Sequence, residues 1–284
     1  MTIIAFVGSV FSPWYAWSGR QRPEDHCALN IAFYGPGCDR WAMTERPKGQ
    51  VWRDAESLSI GPSSVRWDGD DLVIRFDEIT APVPPMPMIP QGLRGVVRVK
   101  PRAINTIAFP LDAQGKHVWR PIAPRARIEV TLDDPALSWT GEGYLDTNAG
   151  TEPLEDAFEV WDWSRAHVKD DSAVLYDLKR KDGSALSLAL RFDRHGVPET
   201  FAPPPHVPLP PTLWRMPRHT RADEGHRATL QRTWEDTPFY SRSTLSTHLL
   251  GEPCQAVHES LSLGRLRSPF VRAMLPFRMP RSLR

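Results

Sequence analysis

Two short segments of this chain place proton-handling side chains close to aromatic ones. In the first, His117 lies two residues before Trp119, and in the second, Tyr144 lies two residues before Asp146. Residues i and i+2 of an extended strand point to the same face. Each pair is therefore predicted to share a face. If the two faces meet, they form an aromatic pocket that contains a carboxyl group and an imidazole. Such a pocket suits the protonation of an apolar substrate and the shelter of the resulting cation.

Asp146 is the candidate acid of this pocket. An exposed aspartic acid has a pKa of about 3.9 and is ionised at neutral pH. Burial among apolar and aromatic groups raises that pKa by up to roughly 3–5 units, which keeps a proton available for donation. The ring faces of Trp119 and Tyr144 would stabilise a desolvated cation by about 2 kcal/mol. His117 would orient Asp146, or hold the attacking water and take its proton, although Asp146 itself could also serve as that base.

Ordinary structural roles are the alternative for the same four residues. An Asp close to Asn and Gly commonly caps its own backbone in a turn. A strand His is commonly satisfied by a backbone carbonyl, and Trp119 and Tyr144 would then be core residues. The block Trp161 to Arg165 is interpreted as a structural corner with an Asp–Arg hydrogen bond.

Composition indicates a soluble, all-β protein. The chain has 284 residues, of which 40% are hydrophobic and 24% charged, and its formal net charge of +1 provides no field that would attract nucleic acid. The 29 prolines exceed the 18 glycines and leave little room for long helices. Three cysteines form no disulfide scaffold, which favours a reducing compartment.

Strand and turn signals recur along the chain. Ser64 to Phe76 is predicted to form a hairpin around Asp-Gly, and Ala173 to Phe192 another around residues 181–184. Ile3 to Trp17 is predicted to be a buried strand, and Leu154 to Trp163 either a strand or a single helical turn. The proline-rich stretch 203–211 is predicted to be an extended surface connector.

Two hairpin-rich halves indicate two domains, residues 1–150 and 151–284, joined near Gly150 to Pro153. The stretch Arg265 to Arg284 contains six arginines and no acidic residue. Either its apolar residues pack on the rest of the protein and its arginines are exposed to solvent, or the stretch forms a patch that contacts anionic lipid. The N-terminus is a poor signal peptide and no segment is long enough to span a membrane, so the expected location is cytoplasmic.

Several blocks of rare residues occur in an order that resembles the carotenoid 1,2-hydratases, also called hydroxyneurosporene synthases. The blocks that carry the resemblance are Val10 to Trp17, His26 to Asn30, Arg40 to Arg46, His117 to Pro124, Gly143 to Asn148, Trp161 to Ala166 and Met274 to Arg281. Together they extend over almost the whole chain, which makes the resemblance far more specific than one short motif.

The resemblance implies a fold of two packed lipocalin-like antiparallel β-barrels. It implies that water adds across the terminal C1=C2 double bond of an acyclic carotene, such as neurosporene or lycopene, to give a tertiary alcohol. It implies no cofactor, and it assigns catalysis to His117, Trp119, Tyr144 and Asp146. Because a long hydrocarbon substrate resides in a bilayer, we expect peripheral contact with the inner or photosynthetic membrane.

Two other functions use the same fold. A lipocalin-like carrier of carotenoids or other lipids would bind the substrate without turnover. An isomerase or cyclase would convert it without a change of mass. A nucleophilic hydrolase and a nucleotide-binding enzyme fit poorly, because the chain has no Gly-x-Ser-x-Gly motif, phosphate loop or dinucleotide fingerprint.

Overall fold

Antiparallel strands make up most of the computed structural model, which describes residues 1–35, 38–81 and 89–282. The first strands are β1 (Thr2–Val7), β2 (Cys27–Phe33), β3 (Arg40–Met43), β4 (Val51–Arg53), β5 (Ser57–Ile60), β6 (Ser63–Asp68), β7 (Asp71–Ile79), β8 (Gly92–Pro101), β9 (Phe109–Pro110), β10 (His117–Asp134) and β11 (Ala136–Gly150). The later strands are β12 (Phe158–Val168), β13 (Asp171–Arg180), β14 (Ala185–Phe192), β15 (Pro198–Thr200), β16 (His206–Leu209), β17 (Arg218–Arg221), β18 (Thr229–Asp236), β19 (Tyr240–Leu249) and β20 (Glu252–Ser262).

Helices in the described ranges are short. They are α1 (Pro13–Trp17), α2 (Leu154–Ala157), α3 (Leu263–Leu266) and α4 (Pro269–Arg278), together with single 3₁₀ turns at Pro23–Asp25 and Lys48–Gln50. None of these helices is long and apolar enough to cross a membrane. The all-β fold class predicted from composition and turn signals is confirmed.

The chain folds into two compact units, and each unit is made of more than one stretch of the sequence. Unit 1 comprises Met1–Pro101, Arg127–Gly143 and Arg272–Arg284, and unit 2 comprises Arg102–Ala126 and Tyr144–Val271. The long strands β10 and β11 therefore contribute residues to both units. The domain boundary at residue 150 stays a prediction.

Unit 1 contains an antiparallel sheet of order β1-β2-β3, and strands β4 to β8 belong to a second sheet of order β11-β10-β8-β7-β6-β5-β4. The hairpin predicted around Asp-Gly is present as β6 and β7, where Gly69 adopts a φ of 61° in the turn. The predicted strand over residues 3–17 is only partly correct. Gly8 adopts a φ of 72° beyond the end of β1, and Ser12 then caps α1 by accepting a hydrogen bond from the Tyr15 amide.

Unit 2 contains the sheet that carries Trp161, Trp163 and Tyr176, three aromatic residues that border the candidate site. Its order is β15-β14-β13-β12-β20-β19-β18, and β16 pairs separately with β17. The predicted hairpin over residues 173–192 is confirmed as β13 and β14, with Gly183 at a φ of 86° in the turn. Residues 154–163 satisfy both predicted alternatives, because α2 ends where β12 begins. The proline-rich connector is extended and includes β16.

The two faces of the unit 2 sheet carry different residues. Ala166, Ala173, Leu175, Leu245 and Ala256 belong to one buried apolar cluster. Strand alternation places their neighbours at 163, 174 and 176 on the opposite face. Tyr176 and Val174 are also buried, so β13 is covered on both faces.

Barrel closure is the part of the fold prediction that the structure corrects. In the described residues, each sheet is an open path with two edge strands. Pairing patterns along a sequence identify hairpins, but closure depends on whether the first and last strands of a path meet.

Candidate active site

The carboxyl group of Asp146 accepts hydrogen bonds from two aromatic side chains. Trp119 on β10 donates its indole N–H to Oδ2 of Asp146 at 2.9 Å, and Tyr144 on β11 donates its hydroxyl to the same oxygen at 3.0 Å. Tyr144 and Asp146 are two residues apart on one strand, so they share a face as predicted. The structure thus brings three of the four predicted site residues into direct contact.

Aromatic rings surround this carboxyl group in unit 2. The Trp119 ring is fully buried and lies 4.9 Å from the Tyr176 ring, in edge-to-face geometry. The Tyr144 ring lies 5.4 Å from that of Trp163, and Trp161 lies 5.3 Å from Tyr176. Because aromatic faces carry negative electrostatic potential, this arrangement suits a transient carbocation.

Burial raises the pKa of Asp146 to about 6, against the opposing effect of the hydrogen bonds from Trp119 and Tyr144. The charge of Glu259 raises the pKa further, and the Arg165 guanidinium lowers it. Asp146 is half-buried by surface exposure, so it combines an apolar setting with access to a neighbouring molecule. The group is therefore protonated in an appreciable fraction of molecules near neutral pH.

Two tyrosines at this site remain neutral hydrogen-bond donors. Burial raises the pKa of Tyr144 and of Tyr176 well above the ordinary tyrosine value, and the Asp146 charge acts in the same direction. Tyr176 donates its hydroxyl to Oδ1 of Asn148 at 3.2 Å. The guanidinium carbon of Arg165 lies 5.4 Å from the centroid of the Tyr144 ring, which places one cation beside the aromatic group.

His117 is buried on the same strand as Trp119, but its contacts lead away from Asp146. Its Nδ1 lies 3.2 Å from Oδ2 of Asp112, and its Nε2 lies 3.2 Å from the carbonyl oxygen of Glu152. Its ring packs edge-to-face on Phe158, with centroids 4.9 Å apart. Within the described residues, neither ring nitrogen forms a hydrogen bond with Asp146. His117 thus links β10 to the segment that follows β11.

Asp112 binds both the backbone N–H and the ring of His117. Its Oδ2 accepts the backbone N–H of His117 at 2.7 Å as well as contacting the ring. Although burial acts to raise it, the pKa of Asp112 lies below its ordinary value because the amides of His117, Lys116 and Gln114 donate to the carboxylate. A Cβ at Gly150 would lie 2.8 Å from Cδ2 of His117, so glycine there permits close approach of the backbone to the ring.

The interpretation of residues 161–165 as a corner is wrong. These residues lie within β12, so strand alternation places Asp162 and Arg165 on opposite faces. Asp162 instead accepts a hydrogen bond from Ser260 at 2.5 Å. Trp161 and Trp163 contact the tyrosines of the site. The Trp-x-Trp-x-Arg alternation was the signal that could have identified this face.

No three His, Cys, Asp or Glu side chains are grouped as a metal site would require in the part of the chain that the structure describes. The residues that meet around Asp146 are instead donors and aromatic rings. This set can hold a carboxylic acid and surround a hydrocarbon, which is the chemistry of protonation at carbon.

Residues 3–284 match the family described as "Carotenoid hydratase CrtC". The acyclic carotenoid 1,2-hydratase of Thiocapsa roseopersicina is 53% identical over 99% of this chain and 69% of its own length. The protein of the same name from Rubrivivax gelatinosus is 48% identical over 99% of this chain and 69% of its own length. That from Cereibacter sphaeroides is 42% identical, with 98% of both chains covered.

A solved structure of a putative AttH from Nitrosomonas europaea has a similar fold. The TM-score is 0.55 at 13% sequence identity, and the alignment covers 83% of this chain and 81% of that one. At this identity, the similarity concerns the fold alone.

Proposed function

Because the chain belongs to the carotenoid hydratase CrtC family and is similar to acyclic carotenoid 1,2-hydratases, we propose that Asp146 is the general acid in the hydration of an acyclic carotenoid. The activity is that of a hydro-lyase: water adds across a carbon–carbon double bond. The observation that carries the proposal is the half-buried carboxyl group with a pKa of about 6, held by Trp119 and Tyr144 among aromatic rings.

The two hydrogen bonds decide which oxygen carries the proton. Trp119 and Tyr144 both donate to Oδ2 of Asp146, so the acidic proton resides on Oδ1. A substrate that fills the site displaces water and further favours the neutral acid. Transfer of this proton to C2 of the terminal C1=C2 bond leaves a tertiary cation at C1.

The rings of Trp119, Tyr144 and Trp163 then stabilise the cation until water attacks it. A desolvated cation–π contact contributes about 2 kcal/mol, and it acts on the transition state rather than on the uncharged alkene. Attack at C1 forms a carbon–oxygen bond, and loss of one proton from the added water gives the tertiary alcohol. The equation balances with water as the only co-substrate.

His117 supports the acid by positioning, because its ring nitrogens bind Asp112 and the Glu152 carbonyl. These contacts fix the start of β10, and Trp119 is two residues further along the same strand. We place His117 among the positioning residues, whereas Asp146, Tyr144 and Trp119 face the reacting atoms.

The test is turnover by the purified protein. Incubation with lycopene or neurosporene in liposomes is expected to give a product heavier by one water. A carotenoid carrier would bind without a new product, and an isomerase or cyclase would give a product of unchanged mass. Either outcome would contradict the proposed reaction.

Peripheral contact with a membrane is a separate proposal, supported by α4. Phe270 and Phe277 are 61% and 77% exposed, and Met274 lies between them on the same helix face. Val271 and Leu275, which lie on a neighbouring side of the helix, are buried. Since residues 265–284 carry arginines and no acidic residue, the exposed apolar face suits an anionic bilayer surface.

Vesicle flotation tests this contact. We expect the protein to float with vesicles that contain phosphatidylglycerol and to float less with pure phosphatidylcholine. Phe277→Ser should weaken the association, whereas Leu213→Ser, at an exposed position outside α4, should not. Equal flotation of both variants would contradict a role for this helix.

A further inference from the structure

Glu259 lies on the face of the unit 2 sheet that carries Trp163 and Tyr176, two aromatic residues of the candidate site. On β20 it is the register partner of Trp163 on β12, and Trp163 is in turn the partner of Tyr176 on β13. The Trp163 ring contacts Tyr144, which donates to Asp146. Cross-strand partners point to the same face, so Glu259 borders the aromatic group that surrounds the acid.

A buried arginine binds the carboxyl group of Glu259. Arg242 on β19 donates from Nε to Oε1 of Glu259 at 3.0 Å, and its Nη2 lies 2.8 Å from the same oxygen. Its Nη1 donates to Oε1 of Glu235 at 3.3 Å. One guanidinium thus bridges two carboxylates. Charge-assisted hydrogen bonds are stronger than those between neutral groups, so these contacts fix the position of the Glu259 carboxyl group.

The two carboxylates differ in their access to water. The side chain of Glu235 is 8% exposed and that of Arg242 is 4% exposed, whereas 28% of the Glu259 side chain is exposed. Of the three residues in this network, Glu259 is therefore the one that solvent reaches most easily. A base that takes a proton from water, and later releases it to solvent, needs such an opening.

We propose that Glu259 is the general base that accepts the proton of the attacking water. This inference rests on the proposed function, because it completes the reaction that Asp146 begins. As the oxygen of water bonds to C1, the O–H bond breaks and its proton moves to the Glu259 carboxylate. Glu259 then loses this proton to solvent, and Asp146 regains one, so both groups return to their starting states.

Electrostatics agree with this division of roles. The charge of Glu259 contributes to the raised pKa of Asp146, so an ionised Glu259 helps to keep Asp146 protonated. A pair of carboxyl groups in which one is neutral and the other ionised is the arrangement that acid–base catalysis requires. His117 suits the base role less well, because both of its ring nitrogens already face acceptor oxygens.

The pH dependence of the reaction tests the assignment. The titratable or charged groups around Glu259 are Arg242 and Tyr240 on β19, Glu235 on β18, Arg165 on β12, Tyr176 on β13, and Tyr144 and Asp146 on β11. In the wild type, a reaction that needs an unprotonated base should slow at low pH, and it should slow at high pH as Asp146 loses its proton.

The variant to measure is Glu259→Gln, with Glu235→Gln as its matched control at the other side of Arg242. We expect kcat of Glu259→Gln to fall by about 10²-fold and the decline at low pH to disappear, while the decline at high pH remains. Glu235→Gln should keep both declines and most of kcat. Circular dichroism and thermal melting establish that both variants are folded.

Three results would overturn the assignment. The first is an activity of Glu259→Gln within about twofold of the wild type. The second is an equal loss in both variants with both declines retained, which would mean that the network only supports the fold. The third is a shift of the high-pH decline alone, which would mean that Glu259 acts only through the Asp146 charge. A wild type that forms no hydrated product would instead contradict the proposed function itself.

Discussion

The hydroxyl group of Tyr144 donates to Oδ2 of Asp146 at 3.0 Å, from a position two residues earlier on the same strand. Side chains two residues apart on a strand normally extend in parallel without touching. Here the Tyr144 hydroxyl and the Asp146 carboxyl group are in contact. The contact orients the carboxyl group, yet it also stabilises the ionised form and so lowers the pKa of Asp146. Tyr144 therefore orients the acid but reduces the fraction of molecules in which Asp146 carries its proton at neutral pH.

Tyr144→Phe should separate these two effects. The variant keeps the aromatic ring and loses one donor to the carboxylate, so the pKa of Asp146 should rise and the decline of kcat/KM at high pH should move to higher pH. We expect kcat to fall by about tenfold because the acid is less well oriented. The measurement is a pH–rate profile. A decline that moves to lower pH would contradict the assigned hydrogen bond.

Stability should depend on Asp146 in a pH-dependent way. Its pKa is about 6 in the folded protein and 3.8 without perturbation, so the folded state binds its proton more tightly than the unfolded chain does. This group therefore makes the folded protein less stable as the pH rises from about 4 to about 6. Asp146→Asn removes that penalty, and because the residue is only half-buried we expect a gain of roughly 2 kcal/mol at pH 7.5.

Urea denaturation at two pH values measures this effect. At pH 7.5 the Asn variant should have the higher free energy of unfolding, and near pH 4 the two proteins should be nearly equal. A difference between variant and wild type that is the same at both pH values would show that the raised pKa is not a property of the folded state.

His117 and Asp112 should behave as one unit. Asp112→Ala removes a hydrogen-bond partner of the buried His117 ring, and His117→Ala removes the ring itself, so each should cost roughly 1–3 kcal/mol of folding free energy. The double variant should cost less than the sum by about 1 kcal/mol. His117→Ala should lower kcat without moving the high-pH decline, since His117 does not touch Asp146. Additive losses, or a shift of the decline, would contradict the positioning role.

The sequence predicted those parts of the site that depend on local geometry. The i, i+2 spacing correctly placed Tyr144 and Asp146 on one face, because strand alternation requires no knowledge of the partner strands. The hairpins around Gly69 and Gly183 were likewise predictable, since the turn residues carry the signal.

Side-chain contacts that do not follow from strand alternation could not be predicted from the sequence. His117 shares a strand with Trp119, yet it binds Asp112, because an Asp five residues earlier competes for its ring. Trp163 and Glu259 were not identified as site residues, since their roles follow from the registers of β12 with β13 and β20. Pairing of that kind is fixed by the whole sheet and not by any one segment.

The most direct test of the central claim is the rate of hydration by Asp146→Asn, measured beside Asp170→Asn as a control. Asp170 lies in the exposed turn between β12 and β13, so its substitution leaves the site unchanged. Asn at 146 can still accept hydrogen bonds from Trp119 and Tyr144, but it has no acidic proton. We expect Asp146→Asn to be folded and to lose at least about 10³-fold in kcat, with the control at wild-type rate. A folded Asp146→Asn that hydrates the carotene at the wild-type rate would contradict the account.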